Sequence, residues 1–267
     1  MQEPPVPKHK SFYILPNLFT TASLFAGFWG ILEAAKGTTA GFTFCALAIL
    51  FSALMDALDG KVARLTNTTS EFGIQYDSLA DVVAFGVAPA FMIYQYALHN
   101  FKMWGVAVAF LFMVCCALRL ARFNTTATVA DKRFFTGLPT PAAGCALASL
   151  VLIHSSLPEF LQNGIGYIAF VYAVGLAFLM VSNIRYASFK ELGAFKAYPF
   201  RSMVFVIALF ALMVADFKLF VSVSLLGYIV SGLVHTFVIL PRMAHVANRA
   251  PIQTEPEPED ESEVQKK

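Results

Sequence analysis

Apolar residues fall into eight long runs along the chain, and the segments between and beyond the runs carry most of the charge. A helix needs about 20 apolar residues to cross the hydrocarbon core of a bilayer, so windows of that length locate predicted spans. Eight spans are predicted, and they cover Phe12–Ala34, Thr39–Val62, Asp77–Leu98, Met103–Leu120, Leu138–Leu157, Gly164–Ile184, Ser202–Ala215 and Leu219–Leu240. The pattern therefore predicts an all-α fold, a polytopic integral membrane helical bundle.

Two of these spans contain proline, and one boundary between spans is weakly marked. Pro89 lies inside the third span and Pro141 lies near the start of the fifth, where each predicts a kink or an unwound turn. The seventh run is short, and only Asp216-Phe217-Lys218 separates it from the eighth.

The composition agrees with a membrane protein. Of the 267 residues, 58% are hydrophobic and 13% are charged, whereas soluble domains carry about 25% charged residues. The net charge of +2 is too small to indicate a nucleic-acid partner, and none is expected. The cysteines lie in apolar runs without metal-type spacing to histidine, so we expect small core residues at Cys45, Cys115, Cys116 and Cys145.

The placement of Lys and Arg predicts the orientation in the membrane. With eight spans and a cytoplasmic N-terminus, 14 of the 19 cationic residues lie on the inner face and three, Lys36, Lys102 and Lys218, lie outside, while Lys266 and Lys267 are too far from a span to count. This asymmetry predicts a multi-pass inner-membrane protein with both termini in the cytoplasm. It divides the chain into an N-terminal segment (1–11), a transmembrane domain (12–240) and an acidic, Pro-rich tail (241–267) that is expected to be disordered.

Four aspartates interrupt this apolar pattern at the cytoplasmic ends of the second and third spans. They occur in the strings Asp56-x-x-Asp59-Gly60-x-x-Ala63-Arg64 and Gly73-x-x-x-Asp77-x-x-x-Asp81. Spacings of three and four place each pair on one helix face. An acid costs about 2.5–3.5 kcal/mol at the bilayer centre, and less toward the interface, so four acids together imply a compensating cation.

Carboxylate oxygens are the ligands that Mg²⁺, Mn²⁺ and Ca²⁺ prefer. Two acid pairs on adjacent helices could bind one ion, or two ions about 3.5–4 Å apart that would hold the oxygens of a phosphoryl group. The alternative is ion pairing with Lys61 and Arg64, which would leave an excess of negative charge.

These eight spaced residues match every fixed position of the CDP-alcohol phosphotransferase signature, which the chain resembles. The resemblance implies a homodimer in which four aspartates bind one or two Mg²⁺ or Mn²⁺ ions. It implies that the CDP-linked substrate contacts Asp56, Asp59, Gly60, Ala63, Arg64, Gly73 and Asp77, and that Asp81 is both a metal-site residue and the general base.

The flanking strings resemble the membrane-embedded bacterial and archaeal phosphatidylserine synthases. They include Leu15-Pro16-Asn17-Leu18-Phe19-Thr20, Phe85-Gly86-Val87-Ala88-Pro89, Arg119-Leu120-Ala121-Arg122-Phe123-Asn124 and Ser182-Asn183-Ile184-Arg185-Tyr186. The implied reaction transfers a phosphatidyl group from CDP-diacylglycerol to the hydroxyl of L-serine and releases CMP. The serine carboxylate would require a cation, and the candidate serine-binding residues are Arg122, Arg185, Arg119 and Asn124, with Lys132 and Arg133 as further cations on the same face.

Two other functions fit parts of the pattern. A sister enzyme could use glycerol 3-phosphate or inositol phosphate as acceptor, although a dianionic acceptor should require more cationic charge than serine does. A cation- or proton-coupled transporter would also contain membrane acids, but near the midplane and on several helices. The clustering of all four acids at one face of two adjacent spans favours the enzyme.

Overall fold

The computed structural model describes residues 14–66, 70–126, 134–187, 203–204, 207, 211–234 and 236–237. Helices α1 (Ile14–Ala34) and α2 (Thr39–Thr66) pack against each other along their length. The turn between them uses Gly37 at a φ of 67°, a left-handed conformation that glycine adopts at little cost. Ser52 of α2 donates a hydrogen bond to the backbone oxygen of Ser23 in α1 (3.0 Å), which ties the pair together within the apolar region.

The third apolar run forms one irregular helical segment, Glu71–Phe101, of 31 residues. It consists of α3 (Glu71–Asp81), a π-helical stretch (Val82–Val87), α4 (Ala88–Ile93), a second π-helical stretch (Tyr94–Leu98) and a 3₁₀ turn (His99–Phe101). Pro89 lies at the start of α4, directly after the first π-helical stretch. Proline cannot donate the regular helical hydrogen bond, and the locally wider helix is the form that the predicted unwound turn takes.

The remaining labelled helices are α5 (Met103–Thr126), α6 (Thr140–Ile153), α7 (Glu159–Asn163), α8 (Ile165–Val181) and α9 (Phe217–Val234). Pro141 lies in the first turn of α6, where no partner for its nitrogen is needed, so it begins the helix rather than kinking it. The predicted break before the last span is present, because the Asp216 side chain accepts hydrogen bonds from the backbone nitrogens of Lys218 and Leu219 (3.0 Å each).

Two short strands, which the sequence pattern did not predict, join the loops at one end of the bundle. Strand β1 (Phe134–Thr136) pairs antiparallel with β2 (Arg185–Ala187), and Thr136 lies opposite Arg185. Beyond the ribbon, Gly137 donates a backbone hydrogen bond to Ile184 (2.9 Å) and Leu138 donates one to Leu179 (3.0 Å). The start of α6 is thereby fixed to the end of α8.

Within the described part of the chain, four helical segments are long and apolar enough to cross a membrane: Thr39–Val62, Glu71–Phe101, Met103–Thr125 and Phe217–Val234. Two further apolar helical segments are shorter: Thr140–Ser156, which includes α6, and Ile165–Val181, which is α8. The predicted helical fold is therefore confirmed, with several helices that could cross a membrane, whereas the count of eight spans stays a prediction. Part of the seventh predicted span, the first 13 residues and the acidic tail lie outside the described residues.

The irregular third segment lies at the centre of the bundle, where it contacts α1, α2, α5 and α6. Phe85, Met92 and Ile93 are fully buried. Small residues let the helices approach closely: a Cβ built on Gly144 would lie 3.1 Å from the Cα of Phe85. The four cysteines are buried and free, as expected for core residues. This central segment carries Asp77 and Asp81 in α3, its N-terminal part.

Candidate active site

Three of the four aspartates converge between α2 and α3. Asp56, Asp77 and Asp81 each offer a carboxylate oxygen, and these oxygens lie within 4.8 Å of one another. Asp81 is buried, with 8% of its surface exposed, and the other two are half-buried. The donors are all hard oxygens, so the set fits Mg²⁺ or Mn²⁺ rather than a thiolate- or imidazole-binding metal. Mg²⁺ commonly uses a few carboxylates and takes its other ligands from water and substrate phosphates.

Asp59 lies one turn beyond Asp56 and has a different contact in the part of the chain described. Its carboxylate accepts a hydrogen bond from the hydroxyl of Thr20 in α1, and both residues are buried, at 7% and 2% exposure. Thr20 had no predicted role, although a polar residue in an apolar run was a visible signal. The structure thus places Asp59 beside the three-acid cluster and links it to α1, while its role as a metal ligand stays a prediction. The neighbouring Gly60 is exposed.

The helix that carries Asp77 and Asp81 begins at Glu71, earlier than the predicted start of the third span at Asp77. Ser70 caps this helix, because its hydroxyl accepts a hydrogen bond from the backbone nitrogen of Gly73 (3.0 Å). A Cβ at Gly73 would lie 3.1 Å from the capping oxygen. The small residue in the signature therefore leaves room for the cap, and the cap places both acids inside a regular helix.

Side chains from two other helices hold α3 in position. The hydroxyls of Tyr76 and Thr21, from α3 and α1, are hydrogen-bonded at 2.9 Å. Asn124 of α5 donates a hydrogen bond to the hydroxyl of Ser78 (2.9 Å). Asn124, a predicted serine-binding residue, thus lies next to the acid cluster and has a structural contact of its own. Tyr76, Thr21 and Ser78 were not predicted as site residues.

Among the predicted cations whose side chains are described, Arg119 is the one that lies close to the acids. It is only 9% exposed, its Nη1 donates to the hydroxyl of Thr140 (3.4 Å), and it lies within electrostatic range of Asp81. Its Nε is buried and has no hydrogen-bond partner among the described residues. A buried donor without a partner costs free energy, so this nitrogen is suited to an acceptor group that arrives with a ligand.

The other predicted cations have different positions. Arg122 is exposed and donates to the side chain of Asn183 (2.8 Å) and to the backbone oxygen of Val181 (3.4 Å), which links α5 to the end of α8. Arg185 takes part in the β-ribbon through its backbone. The predicted residues whose side chains lie outside the described set are Ala63, Arg64, Lys132, Arg133 and Arg185.

A helical membrane bundle with convergent carboxylates near a buried arginine is suited to metal-dependent transfer of a phosphoryl-linked group. Residues 13–179 match the model of the CDP-alcohol phosphatidyltransferase family. The match covers more than half of the chain, and the chain belongs to this family. The resemblance that the signature predicted is confirmed, and the matched region ends within α8.

Individual relatives make the comparison more specific. The chain is 45% identical over 179 residues to a Helicobacter pylori protein named CDP-diacylglycerol–serine O-phosphatidyltransferase, covering 67% of this chain and 74% of the relative. A Mycobacterium bovis protein of the same name is 34% identical over 177 residues, covering 64% and 60% of the two chains. An archaetidylserine synthase from Methanothermobacter thermautotrophicus is 35% identical over 191 residues, covering 70% and 75%.

Proposed function

We propose that this protein is a phosphatidylserine synthase. It transfers a phosphatidyl group from CDP-diacylglycerol to the hydroxyl of L-serine and releases CMP. The observation that carries the proposal is the convergence of Asp56, Asp77 and Asp81 within 4.8 Å in a chain of this family. The names of its relatives, which specify serine as acceptor, support the choice of substrate.

The chain's own residues would divide the reaction between binding and proton transfer. Asp56, Asp59, Asp77 and Asp81 would hold one or two Mg²⁺ or Mn²⁺ ions, with Gly60, Ala63, Arg64 and Gly73 lining the CDP-linked substrate. The bound metal would neutralise the pyrophosphate of the donor. Asp81, the most buried of the three converging acids, would take the proton from the serine hydroxyl. The resulting oxygen nucleophile attacks the diacylglycerol-linked phosphorus in line, and the bond to CMP breaks.

The site would face the cytoplasm of a cell with the enzyme in its inner membrane. The acids lie at the same end of the bundle as Arg119, Arg122 and the β-ribbon, which is the end that the distribution of Lys and Arg predicts to be cytoplasmic. Soluble CDP and serine would enter from that side, and the acyl chains would remain in the bilayer. We also propose that the enzyme is a homodimer, and that its transmembrane domain covers residues 12–240 between an N-terminal segment and an acidic tail.

A parallel acceptor assay tests the function. The full chain in detergent is given labelled CDP-diacylglycerol with L-serine, glycerol 3-phosphate or inositol phosphate, and CMP release and lipid products are measured. We expect labelled phosphatidylserine with serine alone, no turnover after exhaustive chelation, and recovery with Mg²⁺ or Mn²⁺. Transfer to a phosphorylated acceptor instead would identify a sister enzyme. An archaetidyl donor is included because one relative is named as an archaetidylserine synthase.

A further inference from the structure

Helix α9 lies outside the region matched by the family model, yet it packs against the helix that begins at the site. The hydroxyl of Ser222 donates to the backbone oxygen of Ser149 in α6 (3.2 Å). Ile229 and Gly232 are buried, and Leu225 packs against the core, so these residues form the inward face of α9 together with Ser222. The helix therefore has one defined face toward the bundle.

Tyr228 follows on this inward face and reaches the level of Arg119. Ser222 lies near the start of α9 and contacts Ser149 in the second half of α6. Helix α9 also contacts β2, which lies where α6 begins, so α6 and α9 run in opposite directions. Tyr228 lies ~9 Å along α9 from Ser222, and Thr140 lies ~13 Å along α6 from Ser149, both toward the ribbon. Consistent with this geometry, Tyr228 is half-buried and within electrostatic range of the Arg119 guanidinium.

The guanidinium of Arg119 has one edge suited to a carboxylate. Its Nη1 is bonded to Thr140, whereas Nε, which shares the opposite edge with Nη2, is buried without a partner among the described residues. Two parallel N–H groups on one edge match the two oxygens of a carboxylate. Arg119 also lies within range of Asp81. An acceptor such as serine, bound to Arg119 through its carboxylate, would therefore place its hydroxyl near the acid cluster.

We propose that Arg119 and Tyr228 form the subsite for the acceptor's carboxylate: the Nε edge of Arg119 binds the two oxygens, and the Tyr228 hydroxyl donates a further hydrogen bond. This inference rests on the proposed function and deepens it. It assigns acceptor specificity to a pair made of one residue inside the family region and one residue on a helix beyond it. Among the described side chains, a dianionic phosphate acceptor would find one guanidinium within range of the acid cluster, which disfavours it.

The test compares acceptors with and without a carboxylate. Steady-state rates are measured for L-serine and for serinol, in which a hydroxymethyl group replaces the carboxylate, with the full chain and the variants Tyr228→Phe and Arg119→Lys. We expect the KM for serine to rise roughly 10-fold or more in each variant, because a hydrogen bond to a charged group is lost. The values for serinol and the KM for CDP-diacylglycerol should change less than about 2-fold by the same reasoning.

Tyr167→Phe is the matched control, since it removes a tyrosine hydroxyl from an exposed position on α8. It should leave all constants unchanged. An equal rise in KM for serine and CDP-diacylglycerol would overturn the subsite and make Arg119 a counter-charge for the acids. Normal transfer with an unchanged KM for serine in both variants would overturn the subsite alone. Failure of the unsubstituted chain to use serine would overturn the proposed function together with the subsite.

Discussion

At the scale of single residues, the three acids that form the candidate metal site should lower the stability of the folded protein when no metal is bound. Three carboxylates whose oxygens lie within 4.8 Å of one another repel each other when no cation is present. Burial increases that cost because water screens the charges less. The same residues that would bind a metal ion should therefore destabilise the metal-free protein.

Asp77→Asn should separate these two effects. In the presence of a chelator, we expect the variant to unfold at a higher temperature than the unsubstituted protein, because one repelling charge is removed. Added Mg²⁺ should raise the melting temperature of the unsubstituted protein and leave that of the variant nearly unchanged, with transfer activity lost. Thermal unfolding in detergent measures both.

Asp216→Asn is the control for this comparison, because asparagine caps a helix as well as aspartate does and Asp216 lies at the start of α9. It should behave like the unsubstituted protein with and without Mg²⁺. An unchanged melting temperature for Asp77→Asn in chelator, together with a full response to Mg²⁺, would contradict a metal site at the cluster.

Asp81→Asn should distinguish a general base from a residue that only binds. If Asp81 accepts the proton of the serine hydroxyl, the variant should still bind CDP-diacylglycerol while its rate falls about 10²–10⁴-fold. Calorimetric titration with the nucleotide lipid and single-turnover rates measure the two properties separately. Loss of nucleotide binding in parallel with the rate would show that Asp81 acts principally as a metal ligand.

At the scale of elements, the β-ribbon and the turn that follows it position the start of α6. Gly137 adopts a φ of 80°, and a Cβ there would lie 2.4 Å from the backbone oxygen of Met180. Thr140, which accepts the hydrogen bond from Arg119, follows in the first turn of α6. The ribbon thus connects the end of α8 to the guanidinium beside the acids.

Gly137→Ala should disturb this connection. The added methyl group forces a backbone shift, and alanine is strained at positive φ, so we expect a loss of about 1–3 kcal/mol of stability. The KM for serine should rise more than that for CDP-diacylglycerol, because Thr140 and Arg119 move. Thermal unfolding and steady-state kinetics provide the two readouts.

Gly175→Ala is the matched control, since it lies within α8 and a Cβ there meets nothing within 4 Å. In a helix interior this change should be neutral or stabilising by up to about 1 kcal/mol. Equal behaviour of the two glycine variants would mean that the turn at Gly137 does not position the site.

The hydrophobic pattern predicted the helical elements well because the length of a span depends on local composition. The predicted span Thr39–Val62 recurs as a helix that is long and apolar enough to cross a membrane. The β-ribbon could not be predicted in this way, since Phe134–Thr136 pairs with residues far along the chain. The early start of α3 depends on the cap at Ser70, which lies outside the apolar run and therefore does not contribute to the hydrophobic pattern.

Site residues that belong to a motif with fixed spacing could be predicted from the sequence. Site residues that are brought together only by the packing of the helices could not. The signature spacing identified Asp56, Asp77 and Asp81, which the structure brings together. The flanking strings favoured Arg122 and Arg185 as serine-binding residues, yet among the arginines whose side chains are described it is Arg119 that lies within range of Asp81. Arg119 and Arg122 both lie on α5 at different angles around the helix, so only the packing of α5 against α8, α6 and the central segment distinguishes the buried residue from the exposed one. Tyr228 had no sequence signal.

At the scale of the whole molecule, the number of crossings decides which residues share a face of the membrane. Three helical segments, α2, Glu71–Phe101 and α5, separate Lys36 from Thr125. The path from Thr125 to Lys218 contains α6, α8 and the seventh predicted span, of which only part is described. Three crossings on each path would return Lys218 to the side of Lys36.

Single cysteines introduced at these exposed positions should therefore label in a fixed pattern. In intact spheroplasts, a membrane-impermeant maleimide should modify Lys36→Cys and Lys218→Cys, whereas Thr125→Cys should react only after permeabilisation. The native cysteines are buried, so the unsubstituted chain is the control for background labelling. Labelling of Lys36→Cys and Lys218→Cys from opposite faces would mean that the seventh run does not cross the membrane. Labelling of Thr125→Cys from outside would place the acid cluster away from the cytoplasm and contradict the proposed entry of serine.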